Sequence, residues 1–552
     1  MNVASCFLER LLVFTGSPIS PIKSMQRCHM TRETEYNRAK HLLSQARSGG
    51  NRIAIEYGKR RISFAELADM VRATAGGLRA LGVGHGSRVG VMMPAEPQFI
   101  VVQQALHLVG ATISPLNIYY RPGELAHAIE SCSLEYVVLH ADLSDRLPQS
   151  VRNSANSLRS AILCGTTEDS AGFSSLDAAV AGAEPVLDAQ PVAATDIAML
   201  LNTSATTGKS KGVMLTAANL AANYDATPGW LGLTSEDVIL CALPLYNTFG
   251  LNQCINAMLV SGARLILLPR FDAGKCIDAI QRSGCTFMPA VPTMLQKIVD
   301  FPGLRQGGLH TLRLIMTGGA PVPAPLLQRV LTATSADARI LTGYGLTEGA
   351  ALVTLHEVTC DGRGELTHGR TIGRVLPGID LAVMDDAGAT LPAGATGELV
   401  VRGPNVMAGY FNAPQDTAQA LQDGWLRTGD IGYIDEDGYA YIVDRKKDVI
   451  IRGGQNIYPA DIEEAIYAID GVAEVAVVAQ ADEVLGEVPV AFVALQPGAS
   501  VSPSAINASC EILLASYKRP CAIHLLDELP KGPTGKILRR ALRARLATPA
   551  VA

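Results

Sequence analysis

The sequence predicts an α/β fold: a large N-terminal domain of parallel α/β layers carrying a β-rich subdomain, followed by a small mobile α+β C-terminal domain. Three observations predict it. From about Ile53, short β-rich runs alternate with longer helical stretches, a βαβ rhythm that implies parallel sheets. After Asp380, short strands separated by Gly and Asp turns take over. The charge cluster Asp444-Arg445-Lys446-Lys447-Asp448 then precedes about 100 residues in which an αβ pattern restarts.

The elements follow in order. Residues 1–34, with a short apolar patch at Leu11 to Phe14 and no convincing cleavage site, read as a disordered extension. The N-terminal domain, 35–446, opens with strand Arg61 to Phe64, helix Ala65 to Leu81, strand Arg88 to Met93, helix Pro97 to Val109 and strand Ala111 to Pro115. The rhythm resumes with Leu265 to Leu268, helix Cys276 to Ser283, Thr286 to Met288 and Arg313 to Thr317, without the fixed period of a solenoid. The β-rich part holds Leu381 to Met384, Glu398 to Arg402 and Tyr439 to Val443. In the C-terminal domain, 447–552, helix Ala460 to Ala468 precedes strands Val472 to Ala479 and Val488 to Leu495.

Composition narrows the function classes. With 552 residues the chain exceeds what one hydrophobic core serves. A net charge of −6 gives no electrostatic reason to expect nucleic acid or an anionic membrane as partner. The 11 cysteines are odd in number and contain no C-x-x-C pair, which speaks against a disulfide framework and a zinc site and for a reducing cytoplasm. No run approaches the ~20 apolar residues of a membrane span.

Three segments carry chemistry. Thr203-Ser204-Ala205-Thr206-Thr207-Gly208-Lys209-Ser210-Lys211-Gly212 is a hydroxyl-rich loop between two apolar runs, and its hydroxyls, backbone amides and lysines suit a polyphosphate. It is not a P-loop, since Thr203 stands where glycine is needed. Its literal G-x-S-x-G lacks the following helix of a nucleophile elbow. Tyr344-Gly345-Leu346-Thr347-Glu348 follows a β run and offers a carboxylate for a hard cation. Gly424 to Asp430 precedes Arg445 by fifteen residues. Read singly, these segments are equally a polar hairpin, a turn, and an Asx-turn beside a solvated charge run.

In family order, the segments resemble the acyl-adenylate-forming family of acyl-CoA synthetases, peptide-synthetase adenylation domains and luciferases, whose phosphate loop reads T/S-S-G-T-T-G-x-P-K-G. This chain departs at Ala205 and Ser210. The resemblance implies that Thr203, Ser204, Thr206, Thr207, Gly208 and Lys211 hold the β- and γ-phosphates. It further implies that Tyr344 stacks on adenine, Thr347 contacts the α-phosphate and Glu348 ligates Mg²⁺. Asp430 and Arg445 would bind the ribose, with Gly319 and Ala320 completing the nucleotide site. Tyr246, Asn247, Thr248 and Phe249 resemble the acyl-pocket segment, with asparagine where the family has histidine. Lys447 occupies the hinge position, Gly453 and Gly454 the loop facing the pantetheine thiol, and Lys536 the position of the adenylation lysine.

The resemblance implies a cytoplasmic ATP-dependent carboxylic acid:CoA ligase acting on a fatty or aryl acid, with Mg²⁺ as cofactor and ATP and coenzyme A as co-substrates. Oligomeric state is open, a homodimer included. Two other readings stand beside it: a stand-alone enzyme loading the phosphopantetheine of a carrier protein, and a weakened nucleotide- or acyl-binding regulator, motivated by Ala205, Ser210 and Asn247.

Overall fold

Ser63 starts the first long helix of the body, Phe64–Ala80, by accepting a hydrogen bond from the Glu66 amide at 3.1 Å. Leu67, Val71, Ala75 and Leu78 recur at helical spacing and are all fully buried. The computed structural model describes residues 36–169, 172–203, 211–304, 307–320, 322–361, 365–369, 371–532 and 537–547. The extension expected over 1–34 lies outside them.

Two predominantly parallel sheets form the body. The first runs in spatial order Arg374–Val375, Ala351–Glu357, Arg339–Leu346, Leu314–Gly318, Phe287–Ala290, Val238–Cys241, Arg264–Leu267, Ile53–Tyr57, Arg60–Ser63. Its central strands are parallel, and near-continuous apolar runs such as Leu314–Gly318 are buried throughout, as a sheet covered on both faces requires. The second sheet places Ile197–Asn202 parallel to Thr112–Pro115 and antiparallel to Gly212–Thr216, with Gly409–Tyr410 at its edge. The parallel strands of each sheet thus present their carboxyl ends at a common edge, where open α/β sheets bind ligands.

Antiparallel pairs appear where the connection is too short for a crossover: Arg339–Leu346 with Ala351–Glu357, and Ile53–Tyr57 with Arg60–Ser63. The region after Asp380 is a five-stranded antiparallel sheet built on the long strand Trp425–Ile434, which pairs with Gly397–Arg402 and Ala440–Arg445. Beyond it, Val472–Asp482 and Gly486–Leu495 form a hairpin, joined by Ile450–Arg452, Gln455–Ile457 and the parallel strand Ala522–Leu526. This last sheet has its own two apolar clusters, one under helix Pro459–Tyr467 and one under helix Arg539–Ala547. The chain is therefore mixed α/β, with a large N-terminal domain and a smaller C-terminal one.

One buried carboxylate in the body is fully paired. Asp237, 3% exposed, receives Arg313 Nε at 2.7 Å and Nη2 at 2.6 Å, the Thr286 hydroxyl at 2.7 Å and the Thr234 amide at 2.8 Å. It sits at the entry to strand Val238–Cys241 and ties three consecutive parallel strands at their amino ends. Asp237→Ala leaves the Thr286 hydroxyl, the Thr234 amide and the Arg313 guanidinium without their acceptor, so it should cost about 2 kcal/mol. A urea melt with an unchanged midpoint would refute this.

Candidate active site

Tyr344 to Glu348 occupy the carboxyl end of strand Arg339–Leu346 and the short 3-10 turn Thr347–Gly349. A register shift lies between Tyr344 and Gly345, and a Cβ on Gly345 would fall 1.5 Å from the Ala351 carbonyl, so glycine is required there. Ala350 and Ala351 follow with φ of 52° and 101°, a costly backbone that surrounding structure must hold. Two bonds do so: the Met407 amide donates to the Glu348 carbonyl at 2.8 Å, and Asn405 Nδ2 to the Gly349 carbonyl at 2.9 Å. The turn thus presents Thr347 and Glu348, both half-buried, at the edge where ligands enter.

The neighbouring parallel strand Leu314–Gly318 pairs Gly318 with Gly343, so exposed Gly319 and Ala320 emerge beside Tyr344. Tyr344 is itself buried. Its hydroxyl donates to Asp430 Oδ2 at 2.5 Å, and Arg445 Nε meets Asp430 Oδ1 at 2.6 Å. Burial, then the adjacent Asp430 charge, pushes the tyrosine hydroxyl far above its ordinary range, so it stays a donor. Asp430 pairs with Arg445 because Trp425–Ile434 and Ala440–Arg445 are antiparallel neighbours in register. The two residues read as a ribose pair are therefore joined, and Tyr344 ties them to strand Arg339–Leu346.

Thr203 and Lys211 close the ends of the hydroxyl-rich loop: the Thr203 amide donates to the Lys211 carbonyl at 3.1 Å, and the Lys211 amide to the Thr203 hydroxyl at 3.3 Å. Ser204, Thr206, Thr207 and Gly208 lie outside the described residues, as does Lys536. Lys211 Nζ pairs with Asp416 at 2.5 Å and stands 5.0 Å from the centre of the Tyr410 ring. The Tyr410 hydroxyl donates to Glu348 Oε1 at 2.9 Å. Sequence reasoning missed Tyr410 and Asp416. Their partners are 62 and 205 residues away, and Gly409-Tyr410-Phe411 has the look of an ordinary aromatic edge strand.

Asn247 caps the helical segment that begins at Thr248, accepting from the Gly250 amide at 3.0 Å. This gives the asparagine a local reason to be there. Tyr246 is partly buried, and its hydroxyl is pushed up to about 12 by burial, with Tyr119 and Tyr120 adding to the rise. Tyr246, Asn247, Thr248 and Phe249 follow strand Val238–Cys241, two positions along the sheet from Gly319 and at the same strand ends. No hydrogen bond among the described residues joins them to Glu348 or Asp430.

Lys447 is exposed between the antiparallel sheet and the C-terminal sheet. Gly453 and Gly454 form an exposed two-residue turn with φ of 57° and 80° between Ile450–Arg452 and Gln455–Ile457.

The AMP-binding enzyme family matches residues 42–411, and its C-terminal domain matches residues 461–536. The chain belongs to the AMP-binding enzyme family. This AMP-binding enzyme is 35% identical over 506 residues to feruloyl-CoA synthase of an Amycolatopsis species, covering 91% of this chain and 98% of the relative. It is 34% identical over 502 residues to 2-succinylbenzoate–CoA ligase of a Geobacillus species, covering 91% and 96%. Among solved structures, ATP-bound MatB from Rhodopseudomonas palustris superposes with a TM-score of 0.84 at 32% identity, over 92% of this chain and 98% of that one. The o-succinylbenzoate CoA synthetase of Bacillus subtilis, in complex with its acyl-adenylate intermediate, gives a TM-score of 0.79 at 28% identity, over 91% and 97%.

At the junction of this AMP-binding enzyme, Asp444 accepts from the Arg445 amide at 2.7 Å and from the Ala460 amide, in the first turn of helix Pro459–Tyr467, at 3.0 Å. Burial pushes its carboxyl up to about 6, against those hydrogen bonds and the Arg539 charge, while Glu463 adds to the rise. Because the folded pKa lies above the unfolded value near 4, stability is full below about pH 4 and falls as pH rises through 6. Asp444→Asn removes the charge and keeps one of the two acceptor oxygens. It should flatten the fall in melting temperature between pH 4 and pH 6, and an unchanged slope would count against this account.

Proposed function

We propose that the chain activates an aryl acid with ATP and passes the acyl group to coenzyme A. Relatives matching nine-tenths of the chain are acid–CoA ligases, and a solved CoA synthetase of like fold holds its acyl-adenylate intermediate. The observation that carries the assignment to this site is the joining of Tyr344, Asp430 and Arg445 at one edge with Glu348 and Lys211. In the first half-reaction the acid's carboxylate oxygen attacks the α-phosphorus and the bond to pyrophosphate breaks. In the second, the thiol sulfur attacks the acyl carbonyl carbon, the bond to AMP breaks, and the thiol proton passes to solvent.

Glu348 suits Mg²⁺. No group of three His, Cys, Asp or Glu among the described residues could cage a metal, and a single carboxylate fits an ion that keeps its waters and phosphate oxygens. Bound there, the ion would neutralise charge on the phosphates. Lys211 supplies a second positive charge, Asp430 and Arg445 hold the ribose, and Lys536 stabilises charge developing at the α-phosphate. Tyr246 and Phe249 supply flat apolar walls to the acid. A panel of short, medium, long and aryl acids assayed for CoA-dependent AMP formation tests the substrate. Aryl acids such as hydroxycinnamates should give the highest kcat/KM, and a preference for long aliphatic chains would overturn the aryl reading.

The C-terminal domain serves both half-reactions by rotating about Lys447, since Lys536 and Gly453-Gly454 are far apart in its sequence yet each has work at one site. Lys536→Ala should cripple acyl-AMP formation about 100-fold while thioester formation from supplied acyl-AMP survives. A bulky residue at Gly454 should do the reverse. Equal losses in both half-reactions would argue for a fixed arrangement.

A further inference from the structure

Tyr410 is held between the two charged groups assigned above to the triphosphate. Its strand pairs with Gly212–Thr216, setting Tyr410 opposite Val213, two residues from Lys211. Its amide donates to the Thr417 hydroxyl at 2.9 Å, which anchors the backbone to the middle of helix Pro414–Ala420. From that fixed point the side chain serves two partners. The hydroxyl donates to Glu348 Oε1 at 2.9 Å, and the ring lies under Lys211 Nζ at 5.0 Å. Glu348 takes no other side-chain hydrogen bond among the described residues, so among them only Tyr410 orients its carboxylate, through Oε1.

Lys211 and Asp416 are each about two-fifths exposed, so their pair is weak and screened and can be exchanged for phosphate. The ring contact survives that exchange, because a cation over an aromatic face needs no counter-ion. The carboxylate of Glu348 can only accept, so the Tyr410 hydroxyl is the donor in that bond.

We propose that Tyr410 is a positioning residue for the metal–nucleotide complex: its hydroxyl aims Glu348 while its ring seats Lys211, so that carboxylate and ammonium reach the triphosphate together. The proposal rests on the roles given to Glu348 and Lys211 above. It predicts that the two functions of one side chain separate by substitution. Tyr410→Phe keeps the ring and loses the hydrogen bond; Tyr410→Leu loses both.

The test is calorimetric titration of the full-length protein with ATP plus Mg²⁺ and with ATP plus EDTA, in the absence of acid and CoA. Loss of a hydrogen bond to a charged group should raise the Kd for MgATP about tenfold in Tyr410→Phe. The Kd for metal-free ATP should not change in that variant, whereas Tyr410→Leu should weaken both. In a Glu348→Gln background, Tyr410→Phe should add no further loss. A merely structural role would instead weaken both forms of ATP in proportion, or add its loss to that of Glu348→Gln, and either result overturns the proposal. Unaltered MgATP binding by Tyr410→Phe overturns it while leaving the nucleotide site standing. Failure of the unsubstituted protein to bind ATP at all would remove the nucleotide reading and this proposal with it.

Discussion

The buried carboxylate of Asp430 is the point on which the arrangement turns. It lies 2% exposed, and an ion so placed survives only with partners on its lone pairs. Those partners come from different parts of the molecule: the Tyr344 hydroxyl from the nine-stranded sheet, and the Arg445 guanidinium from the strand that leads into the C-terminal region. The need to satisfy one charge therefore couples the parallel body, the antiparallel sheet and the junction. Lys446 extends the same logic, bonding Asp386 at 2.7 Å and Glu398 at 3.3 Å beside it.

Strain is concentrated a few residues away. Ala350 and Ala351, starting two residues after Glu348, hold positive-φ backbone, and Gly345 approaches the Ala351 carbonyl more closely than any side chain permits. The surroundings hold this turn through Asn405 and Met407, which lie on the connection between the antiparallel sheet and the edge strand of Tyr410. A short tight turn is the means by which a carboxylate leaves the end of a strand and faces a ligand without a long, mobile loop. Glu348 is thus fixed at its backbone by one segment and at its carboxylate by the next.

The junction to the smaller domain has a different character. Asp444 and Asp448 are both buried, the first accepting from the amide of Ala460 and the second paired with Arg543 at 2.5 Å. Lys447 between them is exposed. The rotation proposed about Lys447 would fall between these two anchored residues.

Much of this was legible in the chain. The βαβ rhythm, the change of pattern after Asp380 and the restart beyond Asp448 all reflect local periodicity, which burial on one face or two imposes directly on neighbouring residues. The Tyr344 to Glu348 and Asp430 motifs were equally readable, because the chemistry confines their residue types within a few positions. The contacts that complete the site were not. Tyr410 on Glu348 and Asp416 on Lys211 join residues from different sheets and helices, and nothing in their own neighbourhoods marks them. Asn247 shows the reverse: a residue conspicuous in sequence as a departure in the pocket segment turned out to cap the helical segment that begins at the next residue. Sequence by itself determined the elements and the reactive groups, since these depend on local spacing and side-chain chemistry. Tertiary structure alone decided which groups meet, because a hydrogen bond across 62 residues depends on the register and packing of sheets that no short segment encodes.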